Sequence, residues 1–451
     1  MQLVNEAIDT IGFTPYHTKL FFLNGFGYGV DSLLLFLMSI SADSVVAQYN
    51  PQFNRGTQLG FYLALLFGAL FWGTTADVIG RKWAFNFSLF TSAIFSLAAG
   101  AAFNYSSWAT LVAISAFGSG GNLVLDTTVF LEYLPTTKQY LLILLAGWWG
   151  VGQTVAGLIA WPLMYNSIPC TDANNMGWRY LFFTCGALVF TLSMARVAVI
   201  KFHETPKFLL CRGMDEKVVE TLQDMARKYN RPSTVIYSER RNVWSELEIH
   251  VRGLFTTRAM TQSTVLVWLS WAVIGLGYAL YYVYLPEYLA SRNELAGETS
   301  QELVWRNYAI TNLSAIPGPV LAAYLSERPC LGRKGTMCIG AFLTMIFFLG
   351  YTAVKTTTQN LSFSCAISMS INIYYATLYA YTVEILPSAH RGTGNGIAVA
   401  LNRLMGAVSA LIGAFTSTAT SLPIYICAVL LGAVAILALF FPVESRGRHS
   451  I

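Results

Sequence analysis

The sequence predicts an all-α polytopic membrane protein with twelve transmembrane helices in two pseudo-symmetric six-helix bundles. Three observations carry that expectation. Of 451 residues, 55% are hydrophobic and only 11% charged, against about 25% charged in soluble chains. Apolar runs of about 20 residues, the length that crosses a hydrocarbon core about 30 Å thick, recur twelve times in two blocks of six. Segments of the first block also return in the second at a constant offset. The shortage of charge excludes a soluble globular fold. The net charge of +5 reads as membrane topology, and no nucleic-acid partner is expected.

Taken in order, the first 18 residues hold two acids and no long apolar run. They lack signal-peptide form and are expected to remain on the chain, in the cytoplasm. Runs near 19–41, 58–76, 83–103, 108–132, 140–163 and 179–200 make an N-terminal bundle, residues 1–200. Residues 201–262 form the one long charged stretch, a cytoplasmic linker whose apolar spacing suggests short amphipathic helices. Runs near 263–290, 306–325, 335–354, 361–385, 394–415 and 422–442 complete a C-terminal bundle, residues 263–451. With the N-terminus inside, 22 of the 28 Lys and Arg residues fall on the inner side, Arg196 among them, and five fall outside. The remaining one, Arg403, lies deep in the eleventh run. That asymmetry predicts cytoplasmic termini and a cytoplasmic linker. Of seven cysteines only Cys170 falls on an outer loop, so no outer disulfide framework is expected.

The repeat is explicit. GRKWAFNFSLFTSAIFSLA begins at Gly80 and GRKGTMCIGAFLTMIFFLG at Gly332, an offset of 252; at the same offset LEYLP, with Glu132, matches VEILP, with Glu384. Parallel duplicated halves place a substrate site near the bilayer midplane between them, reached alternately from either side. The architecture therefore points to transport. The sequence carries no Walker loop, no His/Cys cluster at metal spacing and no nucleophile elbow. No cofactor, metal or enzymatic site is expected, and energy has to come from a gradient.

The strongest local motif is GTTADVIGRK between helices 2 and 3, with Gly73, Asp77, Gly80, Arg81 and Lys82. Its degenerate second copy holds Glu327, Gly332, Arg333 and Lys334. This pattern resembles the loop 2/3 signature of the major facilitator superfamily. HETPKFLLCRG from His203 and the C-terminal FPVESRGR are similar to elements of sugar-porter-like members. GSGGNLVLDTTVFLEYLP, GLGYALYYVYLPEYL and YAYTVEILPSAHRGTGNGIAVALNR resemble the branch of synaptic vesicle glycoprotein 2 and its fungal relatives. The seventh helix lacks the paired glutamines of hexose porters. The resemblance implies that the loop residues, with Glu132, Glu384 and Arg391 at neighbouring helix ends, gate the cytoplasmic side, Asp77 and Arg81 latching the two halves.

Ionisable and amide groups inside the apolar runs are the site candidates, because an acid or base at that depth is costly unless it has a partner or faces a wet cavity. Asp31 lies about twelve residues into helix 1 and Asp126 in helix 4; either can carry a proton, and the resemblance sets both helices against the cavity. Arg403 needs an anion: Asp31 or Asp126, an organic carboxylate, or failing those backbone carbonyls. Gln153 and Asn122 are mid-membrane amides that require partners. Trp148 and Trp149, Tyr278, Tyr281 and Tyr282, and Tyr374, Tyr375 and Tyr379 can stack on a flat ligand and hydrogen-bond to it. Together these predict a monomeric plasma-membrane transporter of a small organic solute (an organic acid, a sugar-like compound or a secondary metabolite), with protons and the lipid bilayer as its other partners. A gradient-independent facilitator and a non-transporting sensor on the same scaffold are the alternatives.

Overall fold

The computed structural model describes residues 2–53, 56–165, 176–199, 204–211, 213–231, 253–255, 257–295, 297, 300–387, 391–415 and 420–445. In a bilayer every backbone N–H and C=O needs an internal partner, and the described residues answer with helices. The first half contains α1 (Pro15–Tyr49), α2 (Gly56–Ile79), α3 (Arg81–Ala99), α4 (Tyr105–Ser119 continuing as Asn122–Tyr133), α5 (Tyr140–Leu145 and Gly147–Tyr165) and α6 (Gly177–Val199). The second contains α7 (Arg258–Tyr282 and Leu285–Leu295), α8 (Gln301–Leu313 and Pro317–Ser326), α9 (Gly332–Tyr351), α10 (Thr357–Ile385), α11 (Arg391–Phe415) and α12 (Leu422–Leu439). Ten of these are long and apolar enough to span on their own, among the described residues. The other two are α3, which opens on Arg81 and Lys82, and the interrupted α8. Their serines and asparagines (Ser88, Ser92, Ser96; Asn307, Asn312) are buried against neighbouring helices.

Two stretches differ from the sequence expectation. Gln2–Ile11 is an amphipathic helix that buries Val4, Ala7, Ile8 and Ile11. Its Asp9 carboxylate accepts hydrogen bonds from the Thr136 N–H at 2.7 Å and the Thr136 hydroxyl at 2.8 Å, tying it to the α4–α5 turn. The linker ends earlier than expected, since α7 begins at Arg258. Within the linker, Pro206–Cys211 and Asp215–Lys228 are helical. The second starts on Asp215 and Glu216, ends on Arg227 and Lys228, a polarity that complements the helix dipole, and buries Val218, Leu222, Met225 and Ala226.

Glycine sets the sharp turns and the close approaches. Gly80, at φ +118°, joins α2 to α3 in one residue, and Gly332, at φ +59°, opens α9 at the equivalent place. The interruption of α4 falls on Gly120 and Gly121, where a side chain would strike the Leu65 carbonyl and the Trp72 ring. Between halves, α2 runs along α11 and α5 along α8. A methyl group on Gly73 would lie 3.8 Å from the Gly396 Cα and 3.9 Å from the Gly392 carbonyl. Towards the other end the Ser39 hydroxyl donates to the Val283 carbonyl at 2.5 Å, and Tyr284 donates to Gln58 at 3.1 Å. Between helices in lipid, such backbone proximity and polar contacts do the work that hydrophobic burial does in water. The apolar residues left exposed, among them Phe67, Phe87, Val429 and Leu439, form the lipid-facing surface.

Candidate functional site

Arg403 of α11 and Asp31 of α1 meet at the seam between the halves. Arg403 Nη2 donates to Asp31 Oδ2 at 2.6 Å, and both side chains are almost wholly enclosed. The second carboxylate oxygen, Oδ1, accepts from the Ser119 hydroxyl at 3.0 Å. Ser119 ends the first segment of α4, so the break at Gly120 and Gly121 carries that hydroxyl to Asp31. Neither ion could stay charged at this depth unpaired, and each half supplies one of the two.

Rings from both halves close around the pair. The Trp149 ring lies 5.9 Å from Arg403 Cζ, and the Trp149 indole N–H donates to the Tyr278 hydroxyl at 2.6 Å. Gln153 donates to the same hydroxyl, which joins α5 to α7 across the seam. Tyr278 stacks on Tyr282 at 4.3 Å, and Tyr375 lies 5.0 Å from Tyr278 and 5.1 Å from Tyr379. Tyr379 in turn meets Trp271 at 4.5 Å and Tyr28 of the opposite half at 5.6 Å. Asn402 Nδ2 donates to the Tyr375 hydroxyl at 2.9 Å. Among the described residues, the buried polar atoms around this cluster without a hydrogen-bond partner include Arg403 Nε, Gln153 Oε1 and the hydroxyls of Tyr28, Tyr62 and Tyr379.

The remaining candidates divide between this centre and the interior of single bundles. Tyr282 belongs to the centre: it packs 5.6 Å from Phe36 of α1 and bonds Ser368 at 2.8 Å. Tyr281, on the next residue, turns into the C-terminal bundle against Phe348 at 5.1 Å, and Tyr374 lies within reach of Ser270 in the same bundle. Asn122 accepts from Ser88 at 3.0 Å, an α3–α4 contact. Trp148, partly exposed, packs among Phe21, Phe22 and Phe26 of α1, and it is Trp149 that faces the seam. Asp126 pairs with Arg196 of α6 at 2.8 Å, both buried. Arg196 also donates to the carbonyls of Phe85 at 3.0 Å and Leu23 at 3.2 Å. This corrects two expectations: Arg196 is not an inner-side surface base but a buried one, and Arg403 is not the one base deep in an apolar run. Gly27 makes room for the pair, since a side chain there would run into Asp126 and Arg196.

The duplicated motif builds two matching charge clusters, one per half. Arg81, at the start of α3, pairs with Glu132 at the end of α4. Glu204, just past α6, accepts from the backbone N–H groups of Arg81 and Lys82, each at 3.1 Å. Burial, the largest influence on it, lifts the Glu204 carboxyl above the usual carboxylate range, against the pull of those amides and of Arg81 and Lys82. In the second half Arg333 donates through Nη2 and Nε to both oxygens of Glu384, at 3.0 and 3.3 Å. It also reaches Ser326 at 2.7 Å and the half-exposed Glu327 at 3.2 Å. Glu444 accepts from the N–H groups of Arg333 and Lys334 at 2.8 and 3.2 Å, and Ser445 donates to Glu384 at 2.6 Å. Arg391 holds its own turn, donating to the Val383 carbonyl at 2.8 Å and the Leu386 carbonyl at 3.1 Å. Both ion pairs tie helix ends together inside one half. The Asp77 side chain lies outside the described residues. Glu204 and Glu444 are the residues that sequence reasoning passed over; the signal was the acid followed by Thr or Ser in both HET and VES.

The Major Facilitator Superfamily model matches residues 20–410 and 297–451. The MFS siderochrome iron transporter 1 of Ceriporiopsis subvermispora is 38% identical over 477 residues, covering 100% of this chain and 91% of its own length. The synaptic vesicle 2-related protein of Rattus norvegicus is 24% identical, covering 99% of this chain and 82% of its own length. Among solved structures, a partially occluded inward open conformation of the xylose transporter XylE from E. coli superposes with a TM-score of 0.73 at 16% identity, covering 96% of this chain and 100% of that one.

Proposed function

The chain belongs to the major facilitator superfamily of membrane transporters, and from that premise we propose that it drives a small organic solute across the membrane by alternating access, with a proton carried on Asp31. The observation that carries the reading is the buried Asp31–Arg403 pair, one ion from each half, in contact at 2.6 Å. When the halves part, Asp31 loses its cationic partner, Arg403. A lone carboxylate in the membrane interior is strongly disfavoured, so it has to take up a proton or regain a cation before the cycle can proceed. Asp126 is less suited to this work because its partner, Arg196, belongs to the same half and travels with it. The paired helix ends at Arg81–Glu132 and Arg333–Glu384 support halves that move as rigid units. On this reading the termini and the linker face the cytoplasm of a plasma-membrane protein.

The test is accumulation in proteoliposomes with and without an imposed pH gradient, comparing wild type with Asp31→Asn, which keeps the shape and removes titration. We expect the variant to lose gradient-driven accumulation while still exchanging solute. Wild-type-like accumulation by Asp31→Asn would overturn the proton assignment, and uptake by wild type that ignores the gradient would make the protein a facilitator.

A further inference from the structure

We infer that Arg403 is the receptor for the carboxylate of a small planar organic acid, which takes the guanidinium over from Asp31 and leaves Asp31 to hold the proton. The inference rests on the reading of Asp31 as the coupling acid and names the class of cargo. Its starting point is a contrast between two arginines. Arg333 presents its Nε and Nη2 edge to both oxygens of Glu384, at 3.3 and 3.0 Å, in the side-on fork that carboxylates favour. Arg403 gives Asp31 only Nη2, and its Nε is buried without a partner. The arrangement is half of a fork. Asp31 does not supply the rest: its other oxygen accepts from the Ser119 hydroxyl at 3.0 Å and makes no bond to Arg403 Nε.

The surroundings are aromatic. Trp149 lies 5.9 Å from the guanidinium carbon, and Tyr375 and Tyr379, tilted against each other at 5.1 Å, continue a wall of rings whose faces suit a flat acid. Gln153 Oε1 and the Tyr62 hydroxyl remain available for a polar substituent. A second carboxylate beside one guanidinium leaves one negative charge too many in a low dielectric. The charged and titratable groups that face Asp31 are Arg403, Asp126, Tyr28, Tyr62, Tyr375 and Tyr379. Arg196, the other base deep in the N-terminal half among the described residues, is committed to Asp126. The excess charge is relieved when a proton from the aqueous phase settles on Asp31 as the acid settles on Arg403. Each cycle then carries one carboxylate and one proton, with no net charge moved.

The test uses purified full-length protein and four probes: benzoate and cinnamate, and their uncharged amides. Binding is followed by thermal shift and calorimetry, and proton uptake by an indicator dye in weak buffer. At least one of the two acids should bind about tenfold or more tightly than its amide, the worth of a charge-assisted fork, with about one proton taken up per acid bound. Asp31→Asn should bind the acid without proton uptake. Because Arg403→Gln alone strands a buried carboxylate and can fail to fold, the neutral double variant D31N/R403Q is the second arm; it should fold and lose the preference for acid over amide. Equal binding of acid and amide, no binding by either acid, acid binding without proton uptake in wild type, or an acid preference that survives in the double variant would each overturn the inference. If wild type instead accumulates an uncharged solute under a pH gradient and Asp31→Asn does not, the cargo class falls and the proton site stands. If accumulation ignores Asp31→Asn, the proton reading itself falls.

Discussion

Glu384→Gln probes what the charge cluster at the end of α10 contributes. The carboxylate accepts three hydrogen bonds, from Arg333 Nη2 at 3.0 Å, Arg333 Nε at 3.3 Å and Ser445 at 2.6 Å. A glutamine has one oxygen to offer, and its NH2 group would face a guanidinium that can only donate. Removing one partner of a buried ion pair costs about 3–5 kcal/mol. Arg333 would keep Glu327 at 3.2 Å, but that acid is 46% exposed and its pull is screened by solvent. The expected loss is therefore at the lower end, about 3 kcal/mol, or roughly a hundredfold in the unfolding equilibrium at about 1.4 kcal/mol per factor of ten. Titrating the purified protein from mild detergent into SDS, with helix content as the readout, measures this directly. Ser445→Ala, which removes one hydroxyl, should cost only about 1 kcal/mol. Arg333→Lys should be nearly as damaging as Glu384→Gln, since an ammonium cannot hold Glu384 side-on and reach Ser326 as well. If Arg333→Lys unfolds like wild type, net charge and not the fork holds the helix ends, and the reasoning fails.

Three further outcomes are expected. Gly152→Ala should sharply reduce folded yield, because its methyl group would run into the Gly29 carbonyl and the Ser32 hydroxyl of α1, whereas Gly60→Ala, with nothing within 4 Å, should be neutral; thermal midpoints of the two compare them directly. Asp126→Ala should cost about 3–5 kcal/mol by leaving Arg196 unpaired, and Asp126→Asn combined with Arg196→Gln should recover much of that stability without altering the pH dependence of transport. Epitope tags at the N-terminus, within residues 215–245 and at the C-terminus should all be inaccessible from outside intact cells; one exposed tag would contradict the orientation read from the 22-to-5 charge split.

The spans were legible because the bilayer imposes a length on apolar runs that few other environments do, and the duplication was legible because GRK and the helix-ending acids repeat at one offset. The partners of the buried charges were only partly so. Arg403 stood out because it lies far from either end of its run. Arg196 lies four residues before the expected end of helix 6, close enough to pass for a residue reaching to the surface; whether it points outward or back towards Gly27 depends on which face of α6 meets α1. Trp148 and Trp149 pose the same problem in miniature, since neighbouring residues on a helix point about 100° apart and only the packing decides which faces the seam. The Glu204 and Glu444 equivalence was obscured by spacing: their offset is 240, against 252 for the arginines and for Glu132 and Glu384. The stretch between α4 and Glu204 is longer than its counterpart, so a search at fixed offset passes it by.

Where α2 meets α11, Gly73 faces Gly392 and Gly396 with little but backbone between them. At that point no side chain has to disengage before one helix turns past the other, whereas further along the Tyr62 ring of α2 packs onto Gly406 of α11. The contact at Gly73 works as a plain bearing, and the catches lie elsewhere, Asp31 with Arg403 and Trp149 with Tyr278 among them. A machine divided in this manner can change cargo by exchanging residues at the catches while the moving surface stays as it is.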